Sequence, residues 1–132
     1  MTALERWASA LGARAIPEPI LAAAPEPPWG FPAELFRRRA ELAADAAPTA
    51  TTARALEALP DGGSVLDVGC GSGATSLPLA ARAGRLVGVD RSVEMLAAFR
   101  DAAAARGVDS TTVAGGWPEA APRTPVCDVV VC

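Results

Sequence analysis

The residues best suited to holding a ligand lie in Asp67-Val68-Gly69-Cys70-Gly71-Ser72-Gly73. Three glycines at alternate positions leave a loop without side chains at those points, so a ligand can approach the backbone closely. A second acid, Asp90, follows Gly69 by 21 residues at the end of an apolar run, Leu86-Val87-Gly88-Val89. A carboxylate so placed can accept hydrogen bonds from two ribose hydroxyls. Gly69, Gly71 and Ala74 also satisfy the G-x-G-x-x-A form of a dinucleotide loop, so the glycines and Asp90 alone leave two kinds of nucleotide ligand open. Asp67 bears on the choice. A carboxylate two residues before the first glycine repels a pyrophosphate and attracts an ammonium group. The alternative role for Asp67 is structural, as a carboxylate that binds nearby loop amides.

Other chemistries are excluded by what the chain lacks. It has no His and no Tyr. A Ser-His-Asp or Cys-His nucleophile pair, a His-ligated metal and a phenolic acid are therefore absent from these 132 residues. Cys70, Cys127 and Cys132 are odd in number and form no C-x-x-C; they read as reduced thiols of a cytoplasmic protein, with no metal site. The net charge is −3 and the sequence pI about 4.9, which disfavours general nucleic-acid binding. No apolar run suits a membrane span. Glu5, Arg6 and Arg14 interrupt the first 16 residues, unlike a signal peptide. The triplet Arg37-Arg38-Arg39 is a weak basic patch, best read as a solvated helix face.

The elements around the loop follow from periodicity and punctuation. With 31 alanines among the hydrophobic residues, helices should be abundant. Thr2 and Glu5 have capping-box spacing, and the apolar rhythm predicts a helix over 3–15. Six prolines in residues 17–32 predict an extended connector, with Trp29 and Phe31 folded over a core or a ligand. A helix is expected from 32 or 33 to 47, with ion pairs Glu34–Arg38 and Arg37–Glu41, and another from 48 or 49 to the stop Pro60-Asp61-Gly62-Gly63. From Ser64 strands and helices alternate: strand 65–68, the glycine loop, a helix over 74–83 closed by Gly84, strand 86–90, a helix from Ser92 to Arg106 stopped by Gly107, strand 111–113 and strand 126–132. That order predicts an α/β fold with right-handed crossovers and a parallel sheet.

The run Val65-Leu66-Asp67-Val68-Gly69-Cys70-Gly71-Ser72-Gly73 resembles the first motif of class I S-adenosylmethionine-dependent methyltransferases. Val87-Gly88-Val89-Asp90-Arg91-Ser92-Val93-Glu94-Met95-Leu96 resembles the second, Val113 to Glu119 stands where the third falls, and Cys127 to Cys132 resembles the fourth strand. The resemblance covers about residues 50–132. It implies a partial Rossmann-like sheet with strand order 3-2-1-4 (residues 61–132), preceded by an amino-terminal helical cap and Pro-rich connector (1–60). It implies S-adenosylmethionine as cofactor, a ligand whose ammonium suits Asp67 and which carries no phosphate. Gly69, Cys70, Gly71, Ser72 and Gly73 would shape the loop under its methionine portion. Asp67 would orient the amino group directly or through water, Asp90 would hold the ribose, and Arg91 and Met95 would flank the adenine. The acid usual in the third motif is replaced by Gly116, so a backbone contact there or the neighbouring Trp117 would substitute; Trp117 can equally be core.

These features predict a methyltransferase whose acceptor attacks the sulfonium methyl in line, the protein mainly positioning and desolvating the reactants. No carboxylate has a context that marks it as a catalytic base. Two other readings stay open at the sequence level: a non-catalytic cofactor-binding or assembly module, and an NAD- or FAD-binding oxidoreductase domain. Because such methyltransferases usually have seven strands and four are visible, the chain is expected to be an amino-terminal fragment. Its fourth strand would then be an open edge, a template for homo-oligomers.

Overall fold

The computed structural model describes residues 1–24 and 32–132. The chain divides into two compact units, 1–31 and 32–132.

The first unit carries two helices. Helix α1, Ala3–Gly12, begins in the expected capping box: the Glu5 amide donates to Thr2 Oγ1 at 3.2 Å, and the Glu5 carboxylate accepts from the Thr2 amide. It stops short of residue 15, the chain unwinding through turns in which the Arg14 and Ala15 amides donate to Leu11 and Gly12 carbonyls. The expected extended connector is corrected by helix α2, Glu18–Ala23. Pro17 is its cap and Pro19 lies in its first turn, where a missing amide costs nothing and the fixed φ is already helical. Ile20-Leu21-Ala22-Ala23 then continue it. Trp29 and Phe31 lie outside the described residues.

The second unit is a parallel four-stranded sheet with strands β1 (Gly63–Val68), β2 (Ala83–Asp90), β3 (Asp109–Ala114) and β4 (Val129–Val131), ordered β3-β2-β1-β4. This is the expected α/β, Rossmann-like arrangement and strand order. Helices α3 (Ala33–Asp45), α4 (Ala50–Ala58) and α5 (Val93–Ala105) accompany it. Successive strand residues serve opposite faces. On one face Val65 and Leu86 pack with Leu77, Leu79, Phe99, Ala103 and Ala40. On the other, Leu66, Val87 and Val89 pack with Ala120, Val113 and Trp117. A parallel sheet covered on both faces needs this near-continuous apolar lettering.

Four local expectations are revised. The helix predicted over 74–83 is replaced by turns and one 3-10 turn, Leu77–Leu79. Pro78 explains this: in a helix begun at Ala74 it would stand in the interior, without an amide and against a preceding carbonyl. Gly84 lies inside β2 and does not end a helix; a Cβ there would collide with the Gly62 carbonyl. The fourth strand is shorter than predicted: Val126 is 97% exposed, and pairing begins at Val129 opposite Val65. Immediately before it, Asp128 Oδ2 accepts from the Ser64 amide at 2.8 Å and from Ser64 Oγ at 2.9 Å, while the Asp128 amide donates to the Ser64 carbonyl at 3.0 Å. This clamp sets the β1–β4 register. On α3, Glu34 pairs with Arg37 at 2.7 Å instead of Arg38, and Arg37 also reaches Glu41 at 3.0 Å as expected.

Candidate cofactor site

The site forms where β1 and β2 end. In parallel α/β sheets ligands bind beyond the carboxyl ends of the strands, next to the point where strand order reverses; here that point lies between β1 and β4. Residues 69–73 leave β1 as a tight loop with φ of +73° at Gly69, +50° at Gly71 and +95° at Gly73. Residues with a Cβ seldom occupy this region. A Cβ at Gly69 would meet nothing within 4 Å, and one at Gly71 only Phe36 of α3, at 3.9 Å. The outer surface of the loop is therefore a bare, open backbone.

The loop amides are turned inward. Gly69 and Cys70 both donate to the Val89 carbonyl, at 2.8 and 2.9 Å, and Gly73 donates to the Cys70 carbonyl. Gly71 donates to Asp90 Oδ2 at 2.9 Å. A diphosphate loop works the other way, aiming free amides and a helix N-terminus at the anion. Here most glycine-loop amides are spent and turns replace the helix.

Asp67 points to the same face as Cys70 and Ser76. It is 1% exposed, and Ser76 Oγ donates to its Oδ2 at 2.6 Å. Burial lifts the Asp67 carboxyl to about 6, against the opposing pull of the Ser76 hydroxyl and backbone amide; Asp90 adds to the rise. Asp67 thus takes its hydrogen bonds from Ser76, beyond the glycine loop, while the amides of Gly69, Cys70, Gly71 and Gly73 go to other acceptors.

Asp90, half-buried, also accepts from the Ser92 amide at 2.8 Å through Oδ1. Each of its oxygens has one such donor and retains a lone pair for a hydroxyl. Ser92 in turn caps α5 by accepting from the Met95 amide at 3.2 Å. Ser72 is buried and its hydroxyl donates to Met95 Sδ at 3.5 Å. This ties the glycine loop to α5. The Cys70 thiol faces inward, with Sγ 2.8 Å from the place a Gly88 Cβ would take. Burial, with Asp67 and Asp90 nearby, pushes it far above the ordinary thiol range. It is a packing group, and its backbone is what the loop presents.

Arg91 and Gly116 meet: a Cβ at Gly116 would stand 2.6 Å from Arg91 Nε. The bare backbone at 116 is what lets the guanidinium lie there. Trp117 is partly buried and packs on the second core face. The structure therefore groups Asp67, Gly69, Cys70, Gly71, Ser72, Gly73, Asp90 and Met95 around one loop, with Arg91 and Gly116 together beside it. Ser76 and Phe36 escaped the sequence reading. Ser76 was hidden by the expectation of a helix there, and nothing in the lettering of the turns that replace it marks the residue out. Among the described residues no group of acids and cysteines could hold a metal, and no helix is long and apolar enough to cross a membrane.

A family model described as a methyltransferase domain matches residues 65–132, and the chain belongs to that family. Among solved structures, the C-terminal domain of precorrin-6Y C5,15-methyltransferase from Rhodobacter capsulatus is 26% identical, with a TM-score of 0.50 over 59% of this chain and 45% of that one. Precorrin 8W decarboxylase from Methanobacterium thermoautotrophicum is 29% identical, with a TM-score of 0.49 over 64% of this chain and 49% of its own. The chain spans just under half the length of these neighbours. No curated protein matches its sequence.

Proposed function

We propose that this chain binds S-adenosylmethionine and forms the cofactor-holding part of a methyltransferase of the cytoplasm. The observation that carries the reading is the charge arrangement at the loop: a carboxylate, Asp67, lies under a glycine turn whose amides are mostly engaged, and no helix follows to receive a diphosphate. An amino-acid tail with an ammonium group fits that arrangement, and a pyrophosphate does not. The three unpaired cysteines agree with a reducing compartment.

The residues present fit the group. Gly69 and Gly71 leave room for the methionine portion, Gly73 turns the loop onto the core, and Asp67 supplies negative charge to the ammonium. Asp90 keeps one lone pair on each oxygen for the two ribose hydroxyls. Arg91, resting on Gly116, and Met95, fixed through Ser72, border the adenine. When bound, the cofactor supplies a sulfonium methyl with a good leaving group. The chain's part is to fix and desolvate that end of the site, which converts encounter into a near-attack arrangement.

Calorimetric titration of the chain with S-adenosylhomocysteine, NAD and FAD tests this. Saturable binding of S-adenosylhomocysteine alone is the expected result. Binding of either dinucleotide with no response to S-adenosylhomocysteine would overturn the reading.

A further inference from the structure

Ser76 has no place in the sequence motifs, yet it is fully buried and makes the shortest hydrogen bond to the loop's acid. From this geometry we infer that Ser76 is a positioning residue for cofactor binding: its hydroxyl holds the Asp67 carboxylate ionised and aimed beneath the glycine loop. The inference rests on the cofactor reading above and deepens it.

The groups facing Asp67 are few. From β1 and its loop comes the Cys70 thiol, neutral because of its burial; from the end of β2 comes the Asp90 carboxylate, which opposes ionisation; from the turn segment comes Ser76. Among the described residues no cationic side chain pairs with Asp67, and the stabilising contributions come from Ser76. A buried carboxylate without a counter-charge is held in its charged form by donated hydrogen bonds. The hydroxyl is the stronger of the two supplied by Ser76. The backbone donor would survive a change of side chain, so substitution isolates the hydroxyl.

The sign of the effect is fixed. An ionised Asp67 attracts the ligand's ammonium, and a protonated one does not. Affinity should fall as pH drops through the Asp67 midpoint, about 6 in the intact chain. Without the Ser76 hydroxyl the midpoint rises, so affinity is lost at a higher pH. Well above both midpoints the two proteins should bind alike. The ligand's own amino group titrates near the alkaline end, but equally for both proteins, so the comparison cancels it.

The experiment is a pH series of S-adenosylhomocysteine affinities for the full chain and for Ser76→Ala, with Ser76→Cys as a slightly larger variant that keeps a weaker donor. Carbon-13 titration of the Asp67 carboxyl in the unliganded proteins accompanies it. The expected result is an upward midpoint shift of about one unit in Ser76→Ala, a smaller shift in Ser76→Cys, and an affinity loss of about tenfold confined to the acid side. In an Asp67→Asn background the Ser76 substitutions should leave the pH profile flat. Equal weakening at every pH, or an unchanged carboxyl midpoint, would assign Ser76 to packing alone and overturn the inference while leaving the cofactor reading intact. Failure of the unmodified chain to bind S-adenosylhomocysteine at any pH would overturn both. If Ser76→Ala does not fold, Ser76→Cys and the carboxyl titration decide the question.

Discussion

Asp67 is held at a cost to folding. Its carboxyl ionises near 6 in the folded chain and near 4 when unfolded, so the folded state binds the proton more tightly between those values. Its contribution to stability therefore falls as pH rises from about 4 to about 6 and is level above that. Asp67→Asn should remove the slope. By urea unfolding the variant should match the parent near pH 4 and exceed it by about 3 kcal/mol at pH 7, while its affinity for S-adenosylhomocysteine at pH 7 drops about tenfold or more. A variant that loses stability at pH 7 would show that the carboxylate serves the fold. The acid was legible in the sequence because its distance from the glycines is a matter of adjacency along one strand. Its partner Ser76 was not, because the intervening turns have no periodicity from which to place a side chain.

At the scale of elements, the chain shows which signals carry structural information. Strands β1, β2 and β4 announced themselves through apolar runs, β3 through the β-branched Thr111-Thr112-Val113, and α5 through the Ser92 cap and the Gly107 stop, all of which are local. The segment after the glycine loop did not, because Pro78 competes with an otherwise helical lettering and wins. Likewise Pro17 and Pro19 read as breakers but act as starters, since a proline's effect depends on whether it falls in the first turn or later. The two classes of glycine also differ. At Gly73 the φ is +95° and a Cβ would stand 3.0 Å from Leu77 and 3.1 Å from Phe99. At Gly107 the φ is +68° and the surrounding space is open. Gly107→Ala should cost about 1 kcal/mol, the backbone penalty alone. Gly73→Ala should cost more, about 2–4 kcal/mol, because overpacking is added. Chemical denaturation of the two variants checks the order.

For the molecule as a whole, the sheet is closed on the β4 side by few bonds. Three residue pairs join β1 to β4, and the Ser64–Asp128 clamp anchors one end of them. The Asp128 carboxyl is held below its usual range by the Ser64 amide and hydroxyl. Its stabilisation is thus present at neutral pH and lost as pH falls through that depressed value, the opposite sense to Asp67. Asp128→Ala should speed hydrogen exchange at the Ser64 amide and through β4 while leaving β2 and β3 protected, a difference that exchange measured by NMR resolves. Unchanged protection of Ser64 would show that the ladder holds without the clamp. The strand order carries a temporal consequence. Ser64 and Asp128 are 64 residues apart, and a ribosome adding roughly 5–20 residues per second needs about 3–13 seconds to cover that distance. Once β2 has been added and until β4 arrives, the newborn polypeptide displays its glycine turn with a neighbour on one flank only.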